Sequence, residues 1–378
     1  MNGHDTITRE AGLACLDAFL RLGASEYRAM RNTDRGPAAH ATTSGLSPFL
    51  RRRLLTEREV VEAVRAGLGA GAADSFTSEV FWRTYFKGHL ETHPDAWTGY
   101  EARLVEDRAR LEAEPGLRRA HAAAVEGRTG IDGFDAWARE LVSTNWLHNH
   151  ARMWFASIWI FTLRLPWALG AAFFMRHLVD GDPASNTLSW RWVAGLHTRG
   201  KPYVARAENI RRYTEGRFDP AGLDENPAPL DEDRPPRETA LPPADAVPVG
   251  EVALLLHLDD LNAETLALGP VRRVAGLLVH HEDAAEPVRA ADRTAMQDAL
   301  ERAARHFGCP VVAFDEGWAD GLPVVTPWAP VGLTAPVLPA GVRRIRRRWD
   351  EAAWPHCRRG FFKLRSAIPA LLEEAAIR

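Results

Sequence analysis

The feature that most limits how this chain can fold is the segment Met153–Met175, nearly all apolar and about as long as a membrane span. Arg164 and Pro166 sit inside it, and polar or charged residues crowd both flanks. A guanidinium and a helix-breaking proline in mid-run are costly in lipid. The segment therefore reads as a pair of helices buried in a protein core. The 13 tryptophans of the chain point the same way, because they cluster between Trp137 and Trp192.

Around this segment, residues 1–218 read as helix after helix, broken only by short Gly, Pro or Asp stretches. Apolar residues recur at helical spacing over Ala11–Met30, and Thr56-Glu57-Arg58-Glu59 has the form of a capping box. Helical patterns continue over 74–91, 101–125, 132–164 and 168–179. Residues 219–248 change to Pro, Asp, Glu and Ala, a linker or surface excursion. Beyond them, Val252–Leu256, Val274–Val279 and Pro310–Phe314 are short apolar runs of the buried-strand kind, with a helix expected over 289–306. Further helices are expected near 341–350 and 361–376. The expected fold is mainly α: a helical domain over 1–218, a linker over 219–248 and a small α/β domain over 249–378. A chain of 378 residues is long enough for both cores.

Composition removes several functions. A net charge of −3 offers no global attraction for a polyanion, so any nucleic-acid site is a local patch. The runs Arg51-Arg52-Arg53 and Arg343–Arg348 are candidates, or else solvated helix faces. Cys15, Cys309 and Cys357 are too few for a four-cysteine cluster and suit a reducing cytoplasm. The opening, Met1–Glu10, lacks the apolar core of a signal peptide. His148 and His150 are two apart and point to different helix faces, so no metal site is expected.

Three constellations carry chemistry. In Thr42-Thr43-Ser44-Gly45-Leu46-Ser47-Pro48, hydroxyls lead into a helix with Ser47 as cap and Pro48 first; this is a phosphate site or a plain cap. Tyr27 and Arg31, one helical turn apart, could serve the same anion. Glu79, Trp82 and Arg83 share one helix face, as a flat hydrogen-bonding ligand or a surface ion pair would require. Asn149, Arg152 and Met153 share another, and some thirty residues on come Asp180-Gly181-Asp182, Asn186 and Trp190-Arg191-Trp192. Arg152 and Asp180, as buried charges, are expected to pair.

The run Gly127-Arg128-Thr129-Gly130, then Trp146–Met153, then Asp180 through Asn186 to Trp192, resembles the FAD-binding domain of DNA photolyases and cryptochromes, over about residues 10–218. The resemblance implies FAD as cofactor. It assigns Thr43, Ser44, Leu46 and Ser47 to the phosphates, with Tyr27 and Arg31 close by and Arg83 among the cofactor-binding residues. Arg152 and Asp180 become the ion pair beside the isoalloxazine, Asp182 the carboxylate near its pyrimidine edge, and Asn186 the amide facing N5. Glu79, Trp82, Asn149, Met153 and Trp192 match the pocket for a flipped-out pyrimidine dimer, with Trp82 and Trp192 flanking the lesion. Trp190 and Trp167 match two members of an electron-transfer chain.

The pattern also departs from the family. No antenna domain precedes the helices, so an antenna pigment at the usual site is not expected. The outermost tryptophan of the chain has no obvious match, leaving Trp137, Trp154 or Trp159 as substitutes. His150 replaces a basic residue expected to contact DNA phosphate. Three readings follow: light-driven repair of damaged DNA, favoured by the lesion-pocket residues; a cryptochrome-like photoreceptor with a protein partner, favoured by the C-terminal domain; and a flavoenzyme for a small molecule.

Overall fold

Apolar helical periodicity through the first 218 residues becomes, in the computed structural model, twelve helices among the described residues, which are 6–37 and 43–373. They are α1 (Arg9–Leu22), α2 (Tyr27–Met30), α3 (Ser47–Arg51), α4 (Glu57–Leu68), α5 (Ala70–Thr92), α6 (Asp95–Ala113), α7 (Pro115–Val125), α8 (Phe134–Thr144), α9 (Asn149–Ser157), α10 (Trp167–His177), α11 (Pro183–Val193) and α12 (Ala207–Tyr213). The remainder contains β1 (Val252–His257), β2 (Val271–Leu277), α13 (Glu286–Phe307), β3 (Val324–Pro327), β4 (Arg343–Ile345), α14 (Arg348–Ala353) and α15 (Phe361–Glu373). The fold is mainly α with one small parallel sheet, as its patterning requires.

Local chemistry sets the helix ends. Thr56 Oγ1 accepts from Glu59 N, and the Glu59 carboxylate accepts from Thr56 N, which closes the capping box of α4. Asp182 caps α11 through Ser185 N, with Pro183 in its first turn. The apolar run behaves as its interruptions dictate. α9 passes through one π-helical turn (158–162), and the chain then breaks at Arg164 (φ 53°) and Pro166 before α10 begins. Both helices are buried in an aromatic core, and no helix among the described residues is long and apolar enough to cross a membrane.

The sheet is parallel throughout, in the order β2-β1-β3-β4. Alternation along β1 decides how it is used. Val252, Leu254 and Leu256 join one core with α1, α3, α4 and α5, while Ala253 and Leu255 face a smaller cluster that includes Ala275 and Trp318. The C-terminal segment therefore completes the core of the first helices. Residues 219–248 run extended between the two parts, tied by Leu230 N to Ala194 O, Thr239 N to Thr92 O and Asp245 N to Arg344 O.

Two expected elements differ. Pro310–Phe314 forms only an isolated bridge, Val311 to Val274, because Pro310 has no N–H to donate and Val311 and Phe314 stay exposed. Residues 341–350 split into β4 and α14, since the edge of the sheet recruits Arg343–Ile345. Of the helix expected over 361–376, residues 374–376 lie outside the described residues, as does Thr42.

The arginine triplet 51–53 is neither a DNA-facing patch nor a solvated face. Arg51, Arg52 and Arg53 are 6%, 1% and 3% exposed. Arg53 is held by Asp350 (2.6 Å), Glu57 (3.1 Å) and Asp260 (3.4 Å). Burial of a guanidinium is tolerable only with such compensation; removing one partner of a buried pair costs about 3–5 kcal/mol. The Arg343–Arg348 run is also partly committed. Arg346 lies 3.9 Å over the Trp328 ring, and Arg347 donates to Asp260.

Helix α5 is the seam between the two parts. Trp349 Nε1 donates to Thr84 Oγ1 (2.9 Å), and Trp82 stacks on Phe361 with centroids 3.7 Å apart. Gly88 permits the close approach, since a Cβ there would lie 2.6 Å from the Trp354 ring. Next to it, His89 Nδ1 bonds to Cys357 O, the ring stacks on His93, and His197 Nε2 bonds to Tyr85 Oη. Burial, with the neighbouring cations, lowers His89 to about 3 and His197 to about 4. Both folded values lie below the unfolded one, so the fold favours the neutral rings. Their contribution is full above about pH 6.5 and is lost as pH falls through the folded values. Urea-unfolding midpoints should drop steadily from pH 7 to pH 4. The drop should be shallower in His197→Gln, which keeps an acceptor for Tyr85; an identical profile in that variant would refute the assignment.

Candidate cofactor site

The predicted side chains come from five places: α2 and the residue that follows it, the loop before α3, one face of α5, α9, and the turn 178–182 with α10 and α11 on either side of it. On α2, Tyr27 packs edge-on against Phe19 and Phe76, and Arg31 reaches Glu79 of α5 at 2.6 Å. Burial pushes the Tyr27 phenol up, with Glu79 adding to the effect. Burial also raises the Glu79 carboxyl, and Arg31 only partly offsets it. The predicted phenol, guanidinium and carboxylate thus form one group.

The loop before α3 differs in detail from expectation. α3 has Leu46 as its N-cap residue, with no side-chain capping bond, and Ser47 is the first helical residue. Leu46 is already in helical conformation (φ −83°, ψ −10°), which moves the helix start one residue earlier. Ser44 Oγ accepts from Leu46 N at 3.4 Å, and Thr43, Ser44 and Ser47 remain half-buried.

One turn along α5 from Glu79, Arg83 donates to Arg51 O (2.8 Å) and approaches Asp182 (3.4 Å) and Glu57 (3.5 Å). One turn further, Lys87 Nζ lies 3.4 Å from the same Asp182 oxygen, both side chains being buried. Burial alone would raise Asp182; Lys87, Arg83 and the Ser185 N–H outweigh it and hold the carboxyl well below its usual range. Two residues earlier, Asp180 accepts from Arg152 Nη2 at 2.9 Å, as expected of the pair, and Arg152 Nε is anchored on Leu147 O. Asn186, one turn into α11, donates to Ala171 O (2.9 Å), which fixes its amide plane.

The aromatic predictions divide. Trp190 is buried against Phe174 and Phe155 and fits over Gly170, where a Cβ would lie 2.3 Å from its ring. Its nearest indole among the described ring contacts is Trp159, at 6.3 Å. Trp137 and Trp154 instead stack on each other at 5.4 Å, so Trp159 is the substitute adjacent to Trp190. Trp167 packs on Tyr100 and lines a cleft of about 350 Å³ with Arg103, Arg110, Arg164 and Leu230, away from the Asp180–Asp182 turn. Trp82 and Trp192 are not in ring contact: Trp82 stacks on Phe361, and Trp192 on Tyr203 at 5.4 Å. Asn149 is exposed and Met153 half-buried on α9.

Lys87, Arg51, Arg52 and Phe361 were not singled out for this site from sequence. Lys87 was detectable in principle, since Glu79, Arg83 and Lys87 recur every four residues on α5. Phe361 is placed by packing across more than 270 residues of chain and leaves no local signal.

The fold and this seam define a helical scaffold with a fixed guanidinium–carboxylate pair beside an aromatic core. Residues 76–223 match the family described as FAD binding domain of DNA photolyase. The chain is 34% identical over 215 residues to the deoxyribodipyrimidine photo-lyase of Escherichia coli, covering 53% of this chain and 42% of that protein. It is 36% identical over 215 residues to the Streptomyces griseus enzyme of the same name (53% and 45%) and 36% over 217 residues to that of Thermus thermophilus (56% and 48%). The chain thus spans under half the length of these relatives. A bacterial class III photolyase from Agrobacterium tumefaciens matches in structure at 25% identity with a TM-score of 0.46, covering 55% of this chain and 42% of that one.

The donor set suits a flavin. Asp180 and Asp182 bring carboxylates of the kind a flavin ring's N–H requires, Arg152 brings a guanidinium fixed on Leu147 O and Asp180, and the half-buried Tyr27, Arg31, Glu79 and Arg152 leave that side of the seam partly open to solvent. The Arg152–Asp180 pair can be tested directly. Arg152→Met should destabilise the fold by removing one counter-charge from the buried Asp180 carboxylate, and Asp180→Asn should recover part of this in the double variant, a coupling of about 1–3 kcal/mol. Additive losses in urea melts would show that the two side chains do not interact.

Proposed function

We propose that this chain holds FAD against the Asp180–Asp182 turn and uses it for light-driven electron transfer to a cyclobutane pyrimidine dimer in DNA. The observation that carries this reading is the Arg152–Asp180 pair at 2.9 Å, inside the segment that matches a photolyase FAD-binding domain. When bound, reduced FAD supplies the photoexcited electron that opens the dimer's cyclobutane ring.

The residues then have separable tasks. Arg152, anchored on Leu147 O and Asp180, keeps a positive charge at the ring that favours its anionic form. Asp182 stays ionised, between Lys87 and Arg83, to accept from the pyrimidine edge. Asn186, whose amide N–H is held on Ala171 O, would present its amide to N5 of the bound flavin. Tyr27, Arg31, Thr43, Ser44, Leu46, Ser47 and Arg83 serve the phosphate side. Glu79 and Asn149 hydrogen-bond the flipped bases, Met153 supports them, and Trp82 and Trp192 stack on them. Trp190 and Trp167 relay electrons, with Trp159 beside Trp190. We also assign DNA as the partner and, from three free cysteines, a reducing cytoplasm as the compartment.

A second reading is favoured by one contact. Phe361 already stacks on Trp82, an indole that the repair reading needs for the lesion. A photoreceptor that passes flavin chemistry to a protein partner through the C-terminal segment would use this contact instead.

Reduced protein mixed with ultraviolet-damaged oligothymidine under blue light should restore thymine absorbance. Flavin that is bound and photoreducible without such recovery would overturn repair and favour the photoreceptor. Asp180→Ala should purify with little or no flavin, and a fully yellow, stable variant would overturn the placement of the cofactor.

A further inference from the structure

Two of the three buried arginines reach beyond the C-terminal segment to the turn that the proposed function places against the flavin. Arg51 Nε donates to Gly181 O (2.8 Å), while its Nη1 donates to Leu258 O (2.7 Å) and lies 3.7 Å from Asp259. Arg52 Nη1 donates to Val179 O (2.8 Å), while its Nε donates to Asp292 (2.8 Å). The carbonyls on either side of Asp180 are therefore each held by a guanidinium. The balancing carboxylates come from the end of β1 and from α13.

Those carboxylates are themselves fixed. Asp259 accepts from Thr334 Oγ1 (2.6 Å), and Asp292 bonds to His280 Nδ1 (3.0 Å). Arg53 provides the contrast: its described bonds go to Glu57, Asp260 and Asp350, none of them on the turn.

We propose that Arg51 and Arg52 are positioning residues through which the C-terminal sheet segment sets the conformation of the Val179–Asp182 turn, and with it the strength of flavin binding. The physical basis is simple. A peptide whose carbonyl is pinned cannot rotate, so pinning residues 179 and 181 fixes the directions of the Asp180 and Asp182 side chains. Loss of Asp292 or Asp259 leaves a buried guanidinium short of counter-charge. It then withdraws toward solvent or other acceptors and releases the turn. This role rests on the proposed flavin site for its consequence, but not for its first step, which concerns the turn alone.

The experiment compares full-length Asp292→Asn and Asp259→Asn with Asp350→Asn, which weakens the same interface at Arg53. Amide hydrogen exchange over 178–182, measured without added flavin, should accelerate about tenfold in the first two and not in the third. FAD titrated into apo-protein should bind about tenfold more weakly to the first two, with an altered flavin absorption envelope, and unchanged to Asp350→Asn at matched stability. Unchanged exchange in Asp292→Asn and Asp259→Asn, or equal acceleration in Asp350→Asn, would overturn the positioning role. Wild-type protein that binds no FAD but shows the exchange pattern would overturn the flavin reading and leave the tie to the turn standing.

Discussion

Three consecutive guanidiniums buried at the end of α3 are the constraint on which the rest of this structure depends. An unpaired guanidinium in a protein interior is prohibitive, so each must find carboxylates or carbonyls at short range. Most of what they find belongs to other parts of the chain: Asp259, Asp260, Asp292 and Asp350 from the C-terminal segment, and Val179 O and Gly181 O from the turn before α11. The hydrophobic faces of β1 and the first helices supply the larger share of stabilisation, but apolar burial is non-directional. Register between the two parts comes from the arginines. A residue at positive φ, Arg53 (48°), is tolerated at this point because several strong partners over-determine it.

Helix α5 carries both halves of the functional argument. Glu79, Arg83 and Lys87 form a charged stripe that meets Arg31 and Asp182, while Phe81, Thr84 and Gly88 form the face that receives Trp349 and Trp354. Trp82 lies between them and touches Phe361. One helix therefore connects the candidate flavin seam to the C-terminal helices by rigid packing. The face of the Trp82 indole that the repair reading would give to a base is already covered by Phe361.

Much of this was readable from residue order. The helical periodicity, the capping box at Thr56 and the break at Pro166 follow from short-range rules, because caps and i, i+4 spacing are local; the Arg152–Asp180 pair, 28 residues apart, was expected because a buried charge needs an opposite partner. Pro310–Phe314 shows the limit, because an apolar run of strand-like composition was left at the surface with a single bridge. Arg51–Arg53 show it more sharply. A run of three like charges looks solvated in isolation, and only its long-range partners make burial affordable.

The amino-acid order by itself thus determined the helical class, the apolar core between Trp137 and Trp192, and the pairing of Arg152 with Asp180. Tertiary structure alone decided that the C-terminal sheet completes the first core, that Lys87 joins Asp182, and that guanidiniums 51 and 52 grip the turn around Asp180. The reason is one of range. Periodicity and capping act over a few residues, whereas these contacts close loops of about a hundred residues or more, whose partners only three-dimensional packing can select.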